Sequence, residues 1–460
     1  MKKRFFDIPW GMLPAILSLA WPTMLEQLLH TAVQYVDTAM VGGLGTDATA
    51  TVGSTSTVNW LVSSTVSAIG VGFLAFISQA MGAGEQQKAK RASAQAVLAV
   101  LVSGAVFTAL TLSLSGFIPG WMQVEERLRP IASKYFFIIY TPMLARCASI
   151  IFGTVLRASG DTKTPMRVGI AVNISNVVLN FLLIYPTREI FGITVPGAAM
   201  GVVGAAVATA ISYAVGGVLI SFALYKHKLL SPRGQSIAPD KEILVPCIKV
   251  AFPNALQRFG TSLGYVVFAS MVNSIGEIAT AAHTIANTVE SAFYIPGYGM
   301  QTAAATLAGN EFGAKNGEKL RSLGRIMLLI ETALMILSGG LLFISAPYMM
   351  RLFSSDVEVI LLGATVLRMV SLSEPFYGIS IIIEGMMQGM GKTTMPFVIN
   401  VLGMWCIRIV GTYICTAVLG LGLISAWGCM ILHNLMLFAV FFGYYLLGKW
   451  NPILRELKIK

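Results

Sequence analysis

The sequence predicts an all-α integral membrane protein, with twelve transmembrane helices arranged as two parallel-repeat six-helix lobes. Three observations lead there. Of the 460 residues, 55% are hydrophobic and 12% charged, and the mean hydropathy is +0.74. A soluble domain carries about 25% charged residues, so this chain has too few to clothe a water-facing surface. Apolar runs long enough to span a bilayer, about 20 residues each, recur from end to end. A constant offset relates the first half of the chain to the second. The same composition disfavours a soluble enzyme, a nucleic-acid binder and a disulfide-stapled secreted protein. The five cysteines, Cys147, Cys247, Cys406, Cys415 and Cys429, form no CxxC pair, which reads as small buried hydrophobes rather than a metal or redox site.

Taken in order, the apolar runs fall near 12–41, 50–80, 94–118, 131–156, 165–186 and 196–225. A polar stretch, YKHKLLSPRGQSIAPDKE, follows at 225–242. Six further runs lie near 246–274, 279–308, 322–346, 357–388, 396–419 and 421–448. The expected organisation is an N-terminal lobe over 1–224, a cytoplasmic linker over 225–245 and a C-terminal lobe over 246–460. The basic start Lys2, Lys3, Arg4 resembles a signal peptide, but the run after it is too long and lacks a cleavage site. It reads as an uncleaved first span.

Charge sets the orientation. With both termini on one side, 23 Lys and Arg residues share that side, Lys2, Lys3, Arg4 and Arg455, Lys458, Lys460 among them. Only 4, namely Arg127, Arg129, Arg188 and Arg351, fall opposite. Basic loops stay cytoplasmic, so a multi-pass protein of the cell membrane with both termini in the cytoplasm is expected. The net charge of +11 is then a topology signal, not a nucleic-acid footprint.

The halves repeat at one constant offset. It carries Pro22 in LAWPTMLEQL onto Pro253 in VAFPNALQRF, and Gly45 onto Gly276. It also carries Gly82 and Lys88 onto Gly313 and Lys319, and GDTKTP (Gly160, Pro165) onto GKTTMP (Gly391, Pro396). Six spans per half is an even number, so both halves enter from the same side and are related by an axis along the membrane normal. Parallel repeats of this kind are typical of secondary transporters that rock one bundle against the other. GxxxxGK[ST] and HExxH are both missing, so an ion gradient is the expected energy source and no catalytic activity is expected.

Ionisable groups inside spans are costly and point to function. The acids are Glu26, Asp37, Glu290, Glu331, Glu374 and Glu384; the bases are Arg146, Arg258, Arg368 and Arg408, with His30 and His433. Asp37 stands out, several helical turns after Pro22 in otherwise uncharged TAVQYVDTAMVGGLG. The separation is roughly 22 Å along a helix. A carboxylate in low dielectric favours its neutral form, and its proton can be exchanged for a cation. Pro22 frees a backbone carbonyl and kinks the helix, giving the carboxylate a way to move. The plainer reading is a buried Asp satisfied by neighbouring hydroxyls.

Asn176 and Asn180 in VNISNVVLNFLLIY are spaced i, i+4 and share a helix face. They complete a cation shell around Asp37, or act as polar glue between helices. Thr209, in GAAVATAIS, is a weaker candidate because small residues there report close packing. Glu290 and Glu384 hold a cationic substrate, relay a proton, or neutralise Arg258 or Arg408 in a static pair. Glu26 and Arg258 occupy nearly equivalent places in the two halves, and a pair closing the cytoplasmic side is one reading of them. Met386, Met387, Met390 and Met395 line a promiscuous apolar pocket or fill the core.

The Pro22…Asp37-Thr-Ala-Met-Val-Gly segment, LRASGDTKTP, NVVLN, AHTIANTVESAFYIPGYGMQTAAATLAGNEFGA and GMGKTTMP together resemble the multidrug and toxic compound extrusion (MATE) family. The likeness runs across essentially the whole chain. It implies a V-shaped pair of six-helix lobes and a central cavity. It also implies an antiporter that expels amphipathic, often cationic compounds in exchange for H⁺ or Na⁺. The family's central first-helix Asp matches Asp37, and its partner positions in helices five and six match Asn176, Asn180 and Thr209. One branch carries a Glu in helix seven, where PNALQRFGTSLGYVVFAS has only Arg258. A second branch has Asp where Asn180 stands. Coupling centred on Asp37 is therefore favoured, with the ion left open and Na⁺ at Asp37 the one metal in view. The resemblance implies a monomer with small-molecule partners and the lipid bilayer, no nucleic acid and no cofactor. A lipid-linked precursor flippase of the same superfamily is the alternative, with a channel behind it.

Overall fold

A computed structural model describes residues 10–122, 124–190 and 193–454. Lys2, Lys3, Arg4, Arg455, Lys458 and Lys460, used above for orientation, lie outside the described residues. After a 3₁₀ turn at Trp10–Met12, the first half contains α1 (Leu13–Gly42), α2 (Thr46–Gly82), α3 (Gln86–Leu114) and the one-turn α4 (Ile118–Trp121). It continues with α5 (Arg129–Tyr140), α6 (Met143–Ala158), α7 (Lys163–Leu183) and α8 (Gly201–Lys226). The second half contains α9 (Lys241–Asn273), α10 (Glu277–Gly313), α11 (Gly317–Phe353), α12 (Val357–Ser371) and α13 (Glu374–Gly389). Then α14 (Thr394–Leu402) runs through π-helical turns at Gly403–Ile409 and Ile414–Val418, which flank the short α15 (Val410–Tyr413); α16 (Leu423–Leu446) follows.

Seven of these helices are long and apolar enough to cross a membrane, and nine spans result when each bent pair counts once. The bent pairs are α5 with α6 (49°) and α12 with α13 (53°). Proline explains both breaks: Pro142 separates α5 from α6, and Pro375 lies in the first turn of α13. The other long helices, α1, α9 and α10, have 30, 33 and 37 residues. They are the ones that carry Glu26 and Asp37, Arg258, and Glu290. The architecture is all-α and membrane-spanning, apart from one element the sequence did not disclose. β1 (Pro186–Ile190) pairs antiparallel with β2 (Ile193–Ala198), with a register irregularity between Pro186 and Arg188. Gly197 is required there, because a Cβ would lie 2.2 Å from the Tyr185 carbonyl oxygen.

The repeat is written in the backbone. Helices α2 and α10 start and end at equivalent positions of the two halves, and so do α6 and α13. The left-handed backbone positions Gly45, Gly84 and Gly160 recur at Gly276, Lys315 and Gly391, again at the offset that carries Pro22 onto Pro253. Lys315 takes up a conformation that costs an L-residue roughly 1–2 kcal/mol, which shows how firmly the turn is imposed.

The chain forms two compact units. One comprises the described residues within Met1–Met24, Ser78–Gly84 and Lys249–Lys460; the other comprises Leu25–Ile77 and Glu85–Ile248. In the first, α10, α11, α13 and α16 enclose a core that includes Met300, Leu323, Met386, Met387, Met390 and Phe441. The methionines are core filler, Met386 at 0% and Met390 at 4% exposure. In the second, α6 and α8 meet through small residues. A Cβ at Gly217 would lie 2.5 Å from the Ala145 carbonyl oxygen. Such contact is how membrane helices gain packing energy where lipid gives no hydrophobic drive between them.

Candidate functional site

Helix α1 presents Asp37 to α7, which α8 meets on the same polar cluster, all within one unit. Asn180, 1% exposed, donates from Nδ2 to Asp37 Oδ1 at 2.5 Å. Asn176, 5% exposed, lies one turn earlier on the same face of α7. Its carboxamide has two orientations, distinguishable only through its hydrogen bonds. In one, Asn180 Nδ2 donates to Asn176 Oδ1 at 3.1 Å and Asn176 Nδ2 donates to Thr209 Oγ1 at 3.3 Å. In the other, Asn176 Nδ2 donates to Asp37 Oδ1 at 2.6 Å and Oδ2 at 3.1 Å, and its oxygen accepts from Thr209 Oγ1. The Tyr185 hydroxyl donates to the Met40 carbonyl at 2.7 Å, pinning the end of α1 beside the end of α7. The structure thus brings Asp37, Asn176, Asn180 and Thr209 together. No Lys or Arg among the described residues lies within ion-pair distance of Asp37, and none of the acidic, His and Cys groups described assembles three or more metal-ligating side chains.

Pro22 lies inside α1, where its missing N–H leaves the Ser18 carbonyl without a helical donor. Thr23 beside it donates from Oγ1 to the Ala20 and Gly299 carbonyls, each at 2.8 Å. The helix changes unit after Met24. Glu26 accepts from Arg157 Nη2 at 2.6 Å, with both side chains largely buried. Its charge is balanced inside its own unit, by a residue that the span count assigns to a cytoplasmic loop.

The other candidates belong to the other unit. Glu384 Oε1 accepts from Gln257 Nε2 at 2.7 Å and Gln388 Nε2 at 3.0 Å, and Oε2 accepts from Asn400 Nδ2 at 3.2 Å. Arg258 turns its Nε to Asn254 Oδ1 at 3.0 Å. Glu290, 6% exposed, lies in the field of Arg408, whose guanidinium packs over Tyr265 and Phe268 at 4.8 and 4.3 Å. Glu331 is fully buried, and neither of its carboxyl oxygens has a hydrogen-bond partner among the described residues. The amide shell of Glu384 was missed in the sequence. Gln388, at i+4, was a readable signal; Gln257 and Asn400 come from other helices and gave none.

With this geometry in hand, likeness to known proteins becomes specific. The MatE family model matches residues 22–182 and 253–414, once in each half. The chain is 28% identical over 436 residues to the "Probable multidrug resistance protein NorM" of Thermotoga maritima, covering 95% of this chain and 92% of that one. It is 25% identical over 454 residues to the "Probable multidrug resistance protein YpnP" of Bacillus subtilis, covering 98% of each. Among solved structures, an outward-facing multidrug resistance MATE family transporter superposes with a TM-score of 0.87 at 22% identity, covering 96% of both chains. The bent conformation of MATE gives the same TM-score, identity and coverage. These structures share the fold, a two-lobe helical arrangement. Matched in both halves, the chain belongs to the MatE family of membrane transporters.

Proposed function

We propose that this protein is a multidrug efflux antiporter that exports amphipathic organic cations in exchange for H⁺, with Asp37 as the coupling group. It would act as a monomer in the plasma membrane with both termini in the cytoplasm. The names of its Thermotoga and Bacillus relatives support drug efflux. The observation that carries the coupling role is a carboxyl with no basic partner among the described residues, held by two carboxamides that answer to either of its protonation states. When Asp37 carries a proton, its O–H donates to the Asn176 oxygen. When it is charged, Asn176 turns and donates its N–H instead, beside the Asn180 donor. A bound Na⁺ would need oxygen ligands, whereas Asn180 offers Asp37 its nitrogen. That favours the proton over Na⁺. Pro22, by freeing a carbonyl, gives α1 the means to change shape as the charge changes.

Efflux of a fluorescent organic cation from vesicles, driven by an imposed pH gradient or an imposed Na⁺ gradient, separates the two ions. Asp37→Asn should abolish drug resistance in an efflux-deficient host at unchanged membrane expression. Unaltered resistance would sink the assigned role.

A further inference from the structure

Helices α7 and α8, both long and apolar enough to cross a membrane, run antiparallel within one unit. A Cβ at Gly204 would lie 2.5 Å from the Leu183 carbonyl oxygen, Asn176 meets Thr209, and a Cβ at Gly216 would lie 2.7 Å from Val172 Cγ2. Continued toward the start of α7, that register sets Arg167 level with Ser221 and Lys163 level with Tyr225. Each helix carries an exposed apolar stripe at helical spacing: Ile174 and Val178 on α7, and Ile211, Val218, Phe222 and Tyr225 on α8. Both stripes end in exposed cations at this level. Arg167 and Lys163 continue the first, and Lys226 the second. The linker then turns back and lays the Arg233 guanidinium over Tyr225 at 3.9 Å, while Lys226 Nζ lies over Phe222 at 4.2 Å. Ser231 holds that turn, donating from Oγ to the Tyr225 carbonyl at 2.7 Å. Among the described residues, no carboxylate lies within ion-pair distance of Lys163, Arg167, Lys226 or Arg233. The nearby acids are engaged elsewhere: Asp240 and Glu242 with Arg91, and Asp161 with the Thr164 amide and His227. The bias of basic loops toward the cytoplasm accounts for cations on this side. It does not account for a linker arginine folded back onto the aromatic end of an apolar stripe.

We infer that this corner is a binding site for an anionic phospholipid, with its acyl chains along the α8 stripe and its phosphate between Lys226 and Arg233. A guanidinium stacked flat on Tyr225 keeps its in-plane N–H groups free to fork onto phosphate oxygens. Stacking also orders both cationic side chains beforehand, so less rotamer freedom is lost when the headgroup arrives. The rings of Phe222 and Tyr225 mark the level at which amphipathic aromatics sit, where acyl chains meet headgroups. Lys163 and Arg167 add attraction for a lipid of net negative charge and repel the cationic end of a zwitterionic one. The site owes nothing to the efflux reading: it takes a headgroup whatever solute the protein moves.

Native mass spectrometry of the purified full-length chain in detergent, titrated with phosphatidylglycerol or phosphatidylcholine, reads the first lipid bound. Wild type should bind phosphatidylglycerol about tenfold or more tightly than phosphatidylcholine, as expected of several basic residues at an anionic surface. Lys226→Gln combined with Arg233→Gln should weaken phosphatidylglycerol by about tenfold and leave phosphatidylcholine within about twofold. Lys88→Gln combined with Lys90→Gln removes the same charge elsewhere in the unit and should leave phosphatidylglycerol within about twofold. Equal wild-type affinity for the two lipids overturns the site, and so does unchanged phosphatidylglycerol binding in the Lys226/Arg233 variant. Equal loss in the two paired variants also overturns it, because attraction would then be diffuse. Glycerol 3-phosphate, the headgroup phosphate without acyl chains, should leave the bound lipid in place at millimolar concentration. Displacement would assign the corner to free phosphate and overturn the lipid.

Discussion

The two halves of the chain share a backbone and differ in where they keep their charge. Glu26, Gly153, Arg157 and Gly169 of the first half are carried by the repeat offset onto Gln257, Glu384, Gln388 and Asn400 of the second. Both sets cluster. In the first half, Glu26 and Arg157 form an ion pair, and a Cβ at Gly169 would lie 3.4 Å from Glu26 Cγ. In the second, the pair has become two glutamines, and a carboxylate, Glu384, fills the place of Gly153 with amide donors around it. The reverse holds elsewhere: Asp37 corresponds to Phe268, which is 1% exposed. Duplication preserved helix lengths and turns because packing depends on them. Buried charge moved freely between equivalent positions, since any one position needs only a local partner.

The sharpest way to break this comparison is to neutralise one acid in each half. Asp37→Asn removes the carboxyl of its cluster and should cut gradient-driven efflux by about a hundredfold or more, taking general acid–base magnitudes as a guide. Glu384→Gln keeps the shape and leaves three amides to repair their hydrogen bonds among themselves. Efflux should persist, with KM for a cationic dye raised by about tenfold, as for a lost charged hydrogen bond. Equal loss in both variants would show that the halves share the coupling role.

Next comes the ion pair. Arg157→Gln leaves Glu26 largely buried and unpaired, whereas Gln388→Ala leaves Glu384 with two other donors. The first should lower unfolding free energy by about 2–3 kcal/mol and the second by about 1 kcal/mol, read from denaturant or thermal scans in detergent. A larger loss from Gln388→Ala would mean that Glu384 depends on that one amide.

Much of the Asp37 cluster was legible because it is local: a proline-bearing span, an isolated Asp, and two asparagines one helical turn apart. The constant offset likewise exposed the repeat without any coordinates. What remained hidden depends on contacts between helices far apart in sequence. Arg157 reads as a loop residue until α6 brings it to Glu26, and the Glu26–Arg258 pairing rested on repeat position alone. Arg146 stands out as an in-span charge, but Tyr140 and Tyr213, over which it packs, come from α5 and α8. The hairpin after α7 was invisible because two short strands of mixed residues leave no periodic pattern.

Packing glycines test the shared backbone at lower stakes. Gly217→Val sets side-chain atoms against the Ala145 backbone, and Gly389→Val does so against the Ala305 carbonyl, where a Cβ would lie 1.9 Å away. Each should cost about 1–3 kcal/mol by overpacking, with Gly389→Val the more severe, measured as a fall in thermal midpoint in detergent.

The smallest effect belongs to the linker, which the first half docks on itself. His227 Nδ1 accepts from the backbone N–H of Leu230 at 3.1 Å and Leu229 at 3.3 Å, which requires that nitrogen to be unprotonated. Burial lowers the His227 pKa below its ordinary 6.5, and Asp161, 3.9 Å from Nε2, opposes that only in part. With the folded value below the unfolded one, the unfolded chain binds the proton first. The turn's contribution is therefore complete above about pH 6.5 and is lost as the pH falls through the lower folded value. Limited proteolysis of the 225–242 segment should accelerate by roughly twofold to fivefold on acidification through that window, a change of under about 1 kcal/mol. His227→Gln, which cannot charge, should flatten the pH dependence. An unchanged slope in that variant would assign the effect to the Arg91–Asp240 pair that clips the same linker at 2.5 Å.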